Sequence, residues 1–479
     1  MLLKLFPSLN NCKIIKAINW FFYSYFYVAA IALLTALCCI FGFEIYAFYA
    51  YVACACIIPA LLCKDMMPLL APLAMAFASI SLKTNNSAEG LTVFGGRWHH
   101  LFILLGLIVV PVITRLIFDL TTNKEKREYK HYLLPGFLVF GFTLIFAGFG
   151  SDSHTARDYL FGFIEFLALF GVYFLLMYLI NWKDVRKNYV LWLMFSYGLA
   201  LCIEIIVIQI LNKGEGVQTG WGCNNNVAGQ LCMCIAAPLC MALKKKISPL
   251  FLVIGFIFVV CVALTNSRNG VVMSIVLGLA GSVILFIKGS KWKRIIDAIT
   301  VLVSAGIFFT FFFVFRDTSE VLFGRLLHTF DDKKNLLSLS GRIPLWKEGW
   351  ENFLSNRAFG TGWYGAPSGG RGNYFSFNFM PPRYHNTFFQ LVGSMGLLGL
   401  LAYVYHRYQT IRLTFTKPTL EKTFLFLSLL GLLLTSLFDC HLFNLGPALN
   451  YGILLAAIEG SNIKAGITVN RMKKPKFLS

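Results

Sequence analysis

Apolar runs long enough to cross a membrane recur along nearly the whole of this 479-residue chain. A helix rises about 1.5 Å per residue and the hydrocarbon layer is about 30 Å thick, so roughly 20 apolar residues suffice for one crossing. The runs fall at 17–43, 45–63, 66–82, 99–119, 132–149, 159–181, 189–211, 224–243, 249–266, 270–287, 295–315, 386–404, 423–439 and 441–459. Lipid satisfies no backbone polar group, so such runs must be helices or the strands of a closed barrel. Barrel strands alternate apolar and polar residues, and these runs do not. The expected fold class is an all-α polytopic membrane protein of about 14 transmembrane helices. A composition of 57% hydrophobic and 13% charged residues excludes an ordinary soluble domain.

Orientation follows from where Lys and Arg fall between the runs. With the N-terminus inside, the cytoplasmic connections carry Lys124, Lys126, Arg127 and Lys130; Lys244, Lys245 and Lys246; Lys288, Lys291, Lys293 and Arg294; and Arg407, Arg412, Lys417 and Lys422. The short outer connections carry few. Both termini are therefore expected in the cytoplasm, and the net charge of +20 is a topology signal rather than a nucleic-acid footprint. The basic C-terminal tail suits anionic lipid. No cleavable signal peptide is read at the N-terminus, whose first apolar run is too long and lacks a small-residue cleavage pattern.

This topology puts the one long polar segment, 316–385, outside. The chain divides into N-terminal transmembrane helices (1–219), a central region with the large extracytoplasmic loop (220–405), and C-terminal helices with a basic tail (406–479). Cysteines sit mostly within apolar runs, where a thiol acts as a small hydrophobe. Cys223 and Cys440 face outward and leave a disulfide open, and no spacing suggests a metal site.

Three polar islands lie on the outer side. Asn224 to Gln230 follows a Gly-rich turn and either caps a helix or lines a site. Thr265-Asn266-Ser267-Arg268-Asn269-Gly270 is a tight hairpin whose arginine either snorkels or faces a phosphate. The third is the loop itself. Arg342 precedes Pro344 at a helix start, and Trp346, Trp350, Phe353 and Leu354 form one apolar stripe suited to lying on the bilayer surface. Gly360 to Gly372 has the glycines of a phosphate loop without its Gly-Lys-Ser/Thr ending, so a nucleotide site is rejected. The loop closes on Arg383-Tyr384-His385-Asn386. Histidine exchanges a proton near neutral pH, and two arginines beside it supply a diphosphate clamp. Such a set points to glycosyl transfer from a lipid diphosphate.

The pattern Ser267-Arg268-x-Gly270, Gly341-Arg342-x-x-x-Trp346, Phe359-Gly360-x-Gly362 and His385-Asn386, then Gly393-x-x-Gly396-Leu-Leu-Gly399, resembles the O-antigen ligase/polymerase superfamily over residues 220–405. The resemblance implies a GT-C-like integral-membrane glycosyltransferase of the bacterial cytoplasmic membrane, metal-independent and without a cofactor. Its donor would be an undecaprenyl-diphosphate-linked glycan and its acceptor a glycan or glycolipid, with membrane lipids and envelope-assembly proteins as further partners. By the same resemblance Arg268 and Arg342 hold the diphosphate, and His385 activates the acceptor hydroxyl with inversion at the anomeric carbon. Asn226, Ser267, Trp346, Arg383 and Asn386 are expected to bind substrate around them. Trp363, Tyr364, Tyr374, Phe375 and Phe377 either stack on sugar rings or pack, and the loop helix acts as a lid.

Ionisable residues within apolar runs are candidates by default. Glu204 either pairs with a site arginine or is buried without a role. Arg115 is expected to snorkel, and Glu165, Asp439 and His441 lie toward the outer side, the last two along an acceptor path. The rival reading is a transporter or flippase of lipid-linked oligosaccharides, against which the two halves lack matching Gly/Pro-broken spans. A scaffold protein would have no use for an Arg/Arg/His set.

Overall fold

The computed structural model describes residues 1–41, 43–77, 98–123, 131–211, 224–244, 247–327, 342–365 and 383–467. All regular structure among these residues is helical. In chain order the principal helices are α1 (Lys13–Phe22), α2 (Tyr25–Phe41), α3 (Trp98–Thr122), α4 (Leu134–Ile145), α5 (Ala156–Leu179), α6 (Tyr189–Leu211), α7 (Asn225–Leu243), α8 (Ser248–Leu264), α9 (Arg268–Lys288), α10 (Lys291–Val314), α11 (Arg316–Leu327), α12 (Arg342–Ser355), α13 (Thr387–Phe415), α14 (Leu420–Ser436) and α15 (Leu445–Lys464). Seven of them, α3, α5, α6, α7, α9, α10 and α13, are long and apolar enough to cross a membrane; α1 and α2, bent by 62°, make an eighth if they act as one span. The molecule is a multi-pass helical membrane protein.

The apolar runs and the helices do not correspond one to one. The run at 132–149 contains α4, whose 12 residues reach about 18 Å at 1.5 Å per residue, short of a bilayer. The run at 45–63 is a helix interrupted by a π turn at Ala53–Ile57. The start of the polar segment is helical, since α11 follows α10 after a single residue. Helix starts are marked as sequence chemistry predicts. Thr155 and Asp158 form a reciprocal capping box on α5. Ser267, Asn386 and Thr419 cap α9, α13 and α14 with their side-chain oxygens.

Helix α14 lies against α7, α9 and α15, while α13 is flanked by α4 and α12. Loop helix α12 is therefore docked on protein. Trp346 leaves the expected surface stripe to stack on Phe389 of α13, at 5.5 Å and 14° between ring planes. Trp350 and Leu354 remain exposed and keep the outward half of that stripe.

The polar loop also enters the helix layer. Helix α13 breaks at Gly396, whose φ of 66° is open to glycine at little cost. The break deprives Leu397 and Leu398 of the carbonyls four residues earlier. Their N–H groups donate instead to Arg357 O at 2.8 Å and Ala358 O at 3.2 Å. The stranded carbonyls of Gly393 and Ser394 accept from Thr361 N at 2.8 Å and Gly362 N at 3.1 Å. Residues 357–362 thus replace, bond for bond, what the broken turn gives up, as a helix in lipid requires. A Cβ at Gly396 would overlap the Ala358 backbone, and one at Gly360 would meet Gly393 O at 2.5 Å. Trp363 is buried just beyond, with Nε1 donating to Leu144 O at 3.0 Å and its ring edge-on to Phe161 and Phe443, so it packs rather than stacking on a sugar. Tyr374, Phe375 and Phe377 lie outside the described residues.

Arg115 does not snorkel. It is 1% exposed, donates to Ala60 O at 3.0 Å, Cys63 O at 3.1 Å and Lys64 O at 2.5 Å, and pairs with Asp119 at 3.2 Å. The carbonyls at the end of the helix Ile58–Leu62 have no intrahelical donors, and the guanidinium supplies them.

Candidate functional site

The site forms where α9, α12, α13 and α14 end together. Helix α14 stops at Ser436, and the turn after it carries Asp439, Cys440 and His441. Asn269, in the first turn of α9, donates through Nδ2 to Thr435 O at 2.8 Å. Thr387, at the start of α13, donates to Ser436 O at 2.5 Å. Arg268 and His385, remote in sequence, are thereby seated on the same helix end.

His385 Nδ1 lies 2.7 Å from Asp439 Oδ1, and Arg342 Nη2 lies 4.0 Å from Asp439 Oδ2. Burial opposes the charge on Asp439, but the hydrogen bond from His385 and the charges of His441, His385 and Arg342 outweigh it, lowering its pKa to about 2. An ionised carboxylate only accepts. Nδ1 of His385 therefore carries a proton in either charge state, and in the neutral ring it is Nε2 that has the lone pair. The imidazole is 46% exposed while Asp439 is 12% exposed, so an accessible imidazole is held by a largely covered carboxylate. His385 adopts a φ of 50° and Cys440 a φ of 38°, conformations that cost a non-glycine residue on the order of 1–3 kcal/mol.

The remaining sequence candidates surround this core in different ways. Ser267 donates to Asn225 Oδ1 at 2.8 Å and caps α9 through Gly270 N, fixing the hairpin that presents half-buried Arg268. Asn226 Oδ1 meets His441 Nδ1 and Asn444 Nδ2, each at 3.0 Å. Burial lowers the pKa of His441, with Asp439 opposing and Arg383, His385 and Arg342 adding to the effect. Asn386 accepts from Phe388 N and Phe389 N as the cap of α13, which directs its side chain to the helix. Arg383 donates to Cys440 O at 3.1 Å and Phe443 O at 2.6 Å. The structure thus brings together His385, Arg342 and Asp439 directly, Arg268 through the shared end of α14, and Asn226 through His441. Glu204 is fully buried in α6, and Cys440 is a buried free thiol; Cys223 lies outside the described residues.

Asp439 is the residue whose role the sequence did not disclose. Its place beside His441 at the end of an apolar run was visible, but its pairing with a histidine 54 residues away was not. Among the described residues, no cluster of three His, Cys, Asp or Glu side chains is arranged to hold a metal.

Residues 251–404 match the family model described as O-antigen ligase. No curated protein matches the chain. The matched segment carries Arg268, Arg342 and His385 together, and over these residues the chain is similar to the O-antigen ligase family.

Proposed function

We propose that the protein is a GT-C-like, inverting glycosyltransferase that moves a glycan from an undecaprenyl-diphosphate donor onto an acceptor sugar hydroxyl at the outer face of the cytoplasmic membrane. The observation that carries this reading is the His385–Asp439 pair, 2.7 Å apart, with Arg342 at its side. His385 Nε2 takes the proton of the acceptor hydroxyl while the oxygen attacks the anomeric carbon. The bond from that carbon to the diphosphate breaks, and its electron pair leaves with the diphosphate oxygen. Asp439 stabilises the imidazolium that forms, as a buried carboxylate does in other base–orienter pairs. Arg268 and Arg342 meet the growing phosphate charge, and each such group contributes about 3–4 kcal/mol to comparable transition states. Attack opposite the leaving group inverts the anomeric centre. The superfamily match supports an enzyme more than a flippase, and a flippase has no need of an oriented imidazole.

The test uses purified protein in vesicles with a labelled polyprenyl-diphosphate glycan and a glycan acceptor. Arg268→Ala should insert normally and lower transfer about 10²–10³-fold. Labelled lipid that crosses the bilayer without any glycan reaching the acceptor, or full transfer by Arg268→Ala, would sink the proposal.

A further inference from the structure

Arg383 directly precedes the Tyr384-His385 pair, and its charge suggests a third phosphate ligand. Two of its donor nitrogens point elsewhere. Nη1 reaches Cys440 O at 3.1 Å and Nη2 reaches Phe443 O at 2.6 Å, so one planar fork spans both ends of the turn that follows Asp439. Asn386 grips the same turn from the other side, its backbone N–H meeting Cys440 Sγ at 3.1 Å. Leu442 N donates to Ser436 Oγ at 2.9 Å, closing the turn onto α14. Residues 383 and 386 therefore clasp residue 440 on either side of the His385–Asp439 contact. Both residues in left-handed backbone here, His385 and Cys440, lie inside the clasp. A strained turn persists only where its surroundings over-determine it, and charge-assisted bonds to two carbonyls do so.

We infer that Arg383 is a positioning residue: it holds the Asp439 turn against His385 and does not grip the donor diphosphate. The inference rests on His385 being the base. It makes two distinctive demands. Lysine cannot replace arginine, because an ammonium on a flexible stem does not reproduce a fork set across two carbonyls. Loss of Arg383 must also act through Asp439, so the two substitutions must not add.

The experiment is a double-substitution cycle read as kcat and donor KM for glycan transfer in vesicles, with folded protein quantified by its melting profile in detergent. Arg383→Ala and Arg383→Lys should each lower kcat about 100-fold, the scale of an ångström misplacement of a reacting group, with donor KM unchanged. Asp439→Asn combined with Arg383→Lys should be no slower than Asp439→Asn alone. The lysine variant carries the cycle if the alanine variant is not recovered folded. A raised donor KM at unchanged kcat, rescue by lysine, or full additivity with Asp439→Asn would overturn the inference while leaving the proposed reaction standing. Wild-type transfer by His385→Ala would bring down both.

Discussion

Arg115 and Arg342 each sit beside an aspartate, and they differ in what their guanidinium groups have left to give. Arg115 is 1% exposed and spends its donors on three backbone carbonyls and on Asp119 at 3.2 Å. Arg342 opens α12, is 23% exposed, and among the described residues its one ion-pair partner is Asp439 at 4.0 Å, beyond hydrogen-bonding length. The first arginine completes a helix end that the fold itself leaves unsatisfied. The second opens a helix, whose N-terminus favours an anion, and is partly exposed. Proximity to a carboxylate does not separate a structural arginine from a ligand-binding one; the fate of its remaining donors does.

Substitution at the two positions should break apart along that line. Arg115→Ala removes the buried half of the pair with Asp119, which Lys4 also meets at 3.1 Å, and takes a donor from the carbonyls of Ala60, Cys63 and Lys64; removing one half of a buried pair costs about 3–5 kcal/mol. Melting in detergent should fall sharply, while transfer per folded molecule stays near wild type. Arg342→Ala should melt like wild type yet lose about 10²–10³-fold in transfer. Equal loss of stability at both positions would erase the distinction. The smallest effect concerns Asp439. Its folded pKa of about 2 lies below the ordinary value of 3.8, so the stability it contributes is present above that value and disappears as pH falls toward 2. The difference in melting between wild type and Asp439→Asn should therefore persist down to about pH 4 and shrink only below it. A difference that fades near pH 6 would mean that the carboxylate is not held ionised by its neighbours.

Much of the fold was legible because lipid forces one answer on a long apolar run. The count was less so, because hydropathy does not see where helices break. The run at 386–404 reads as unbroken, yet it holds the turn at Gly396 into which 357–362 insert. The glycines at 360, 362, 393 and 396 marked the place without saying that two segments exchange hydrogen bonds there. At the site, residue type pointed to His385, Arg268 and Arg342, since few side chains exchange protons or clamp phosphate. What sequence withholds is how each donor is used. Arg383 and Asn386 read as ligands in sequence, yet Cys440 O, Phe443 O and the first turn of α13 engage them, and Asp439 meets His385 only once α13 and α14 come together.

The most direct test of the account is single-turnover transfer by His385→Ala in vesicles at saturating donor and acceptor. A base removed from its reaction should slow the chemical step about 10²–10⁴-fold, with donor binding and melting unchanged. Transfer at the wild-type rate would contradict the account.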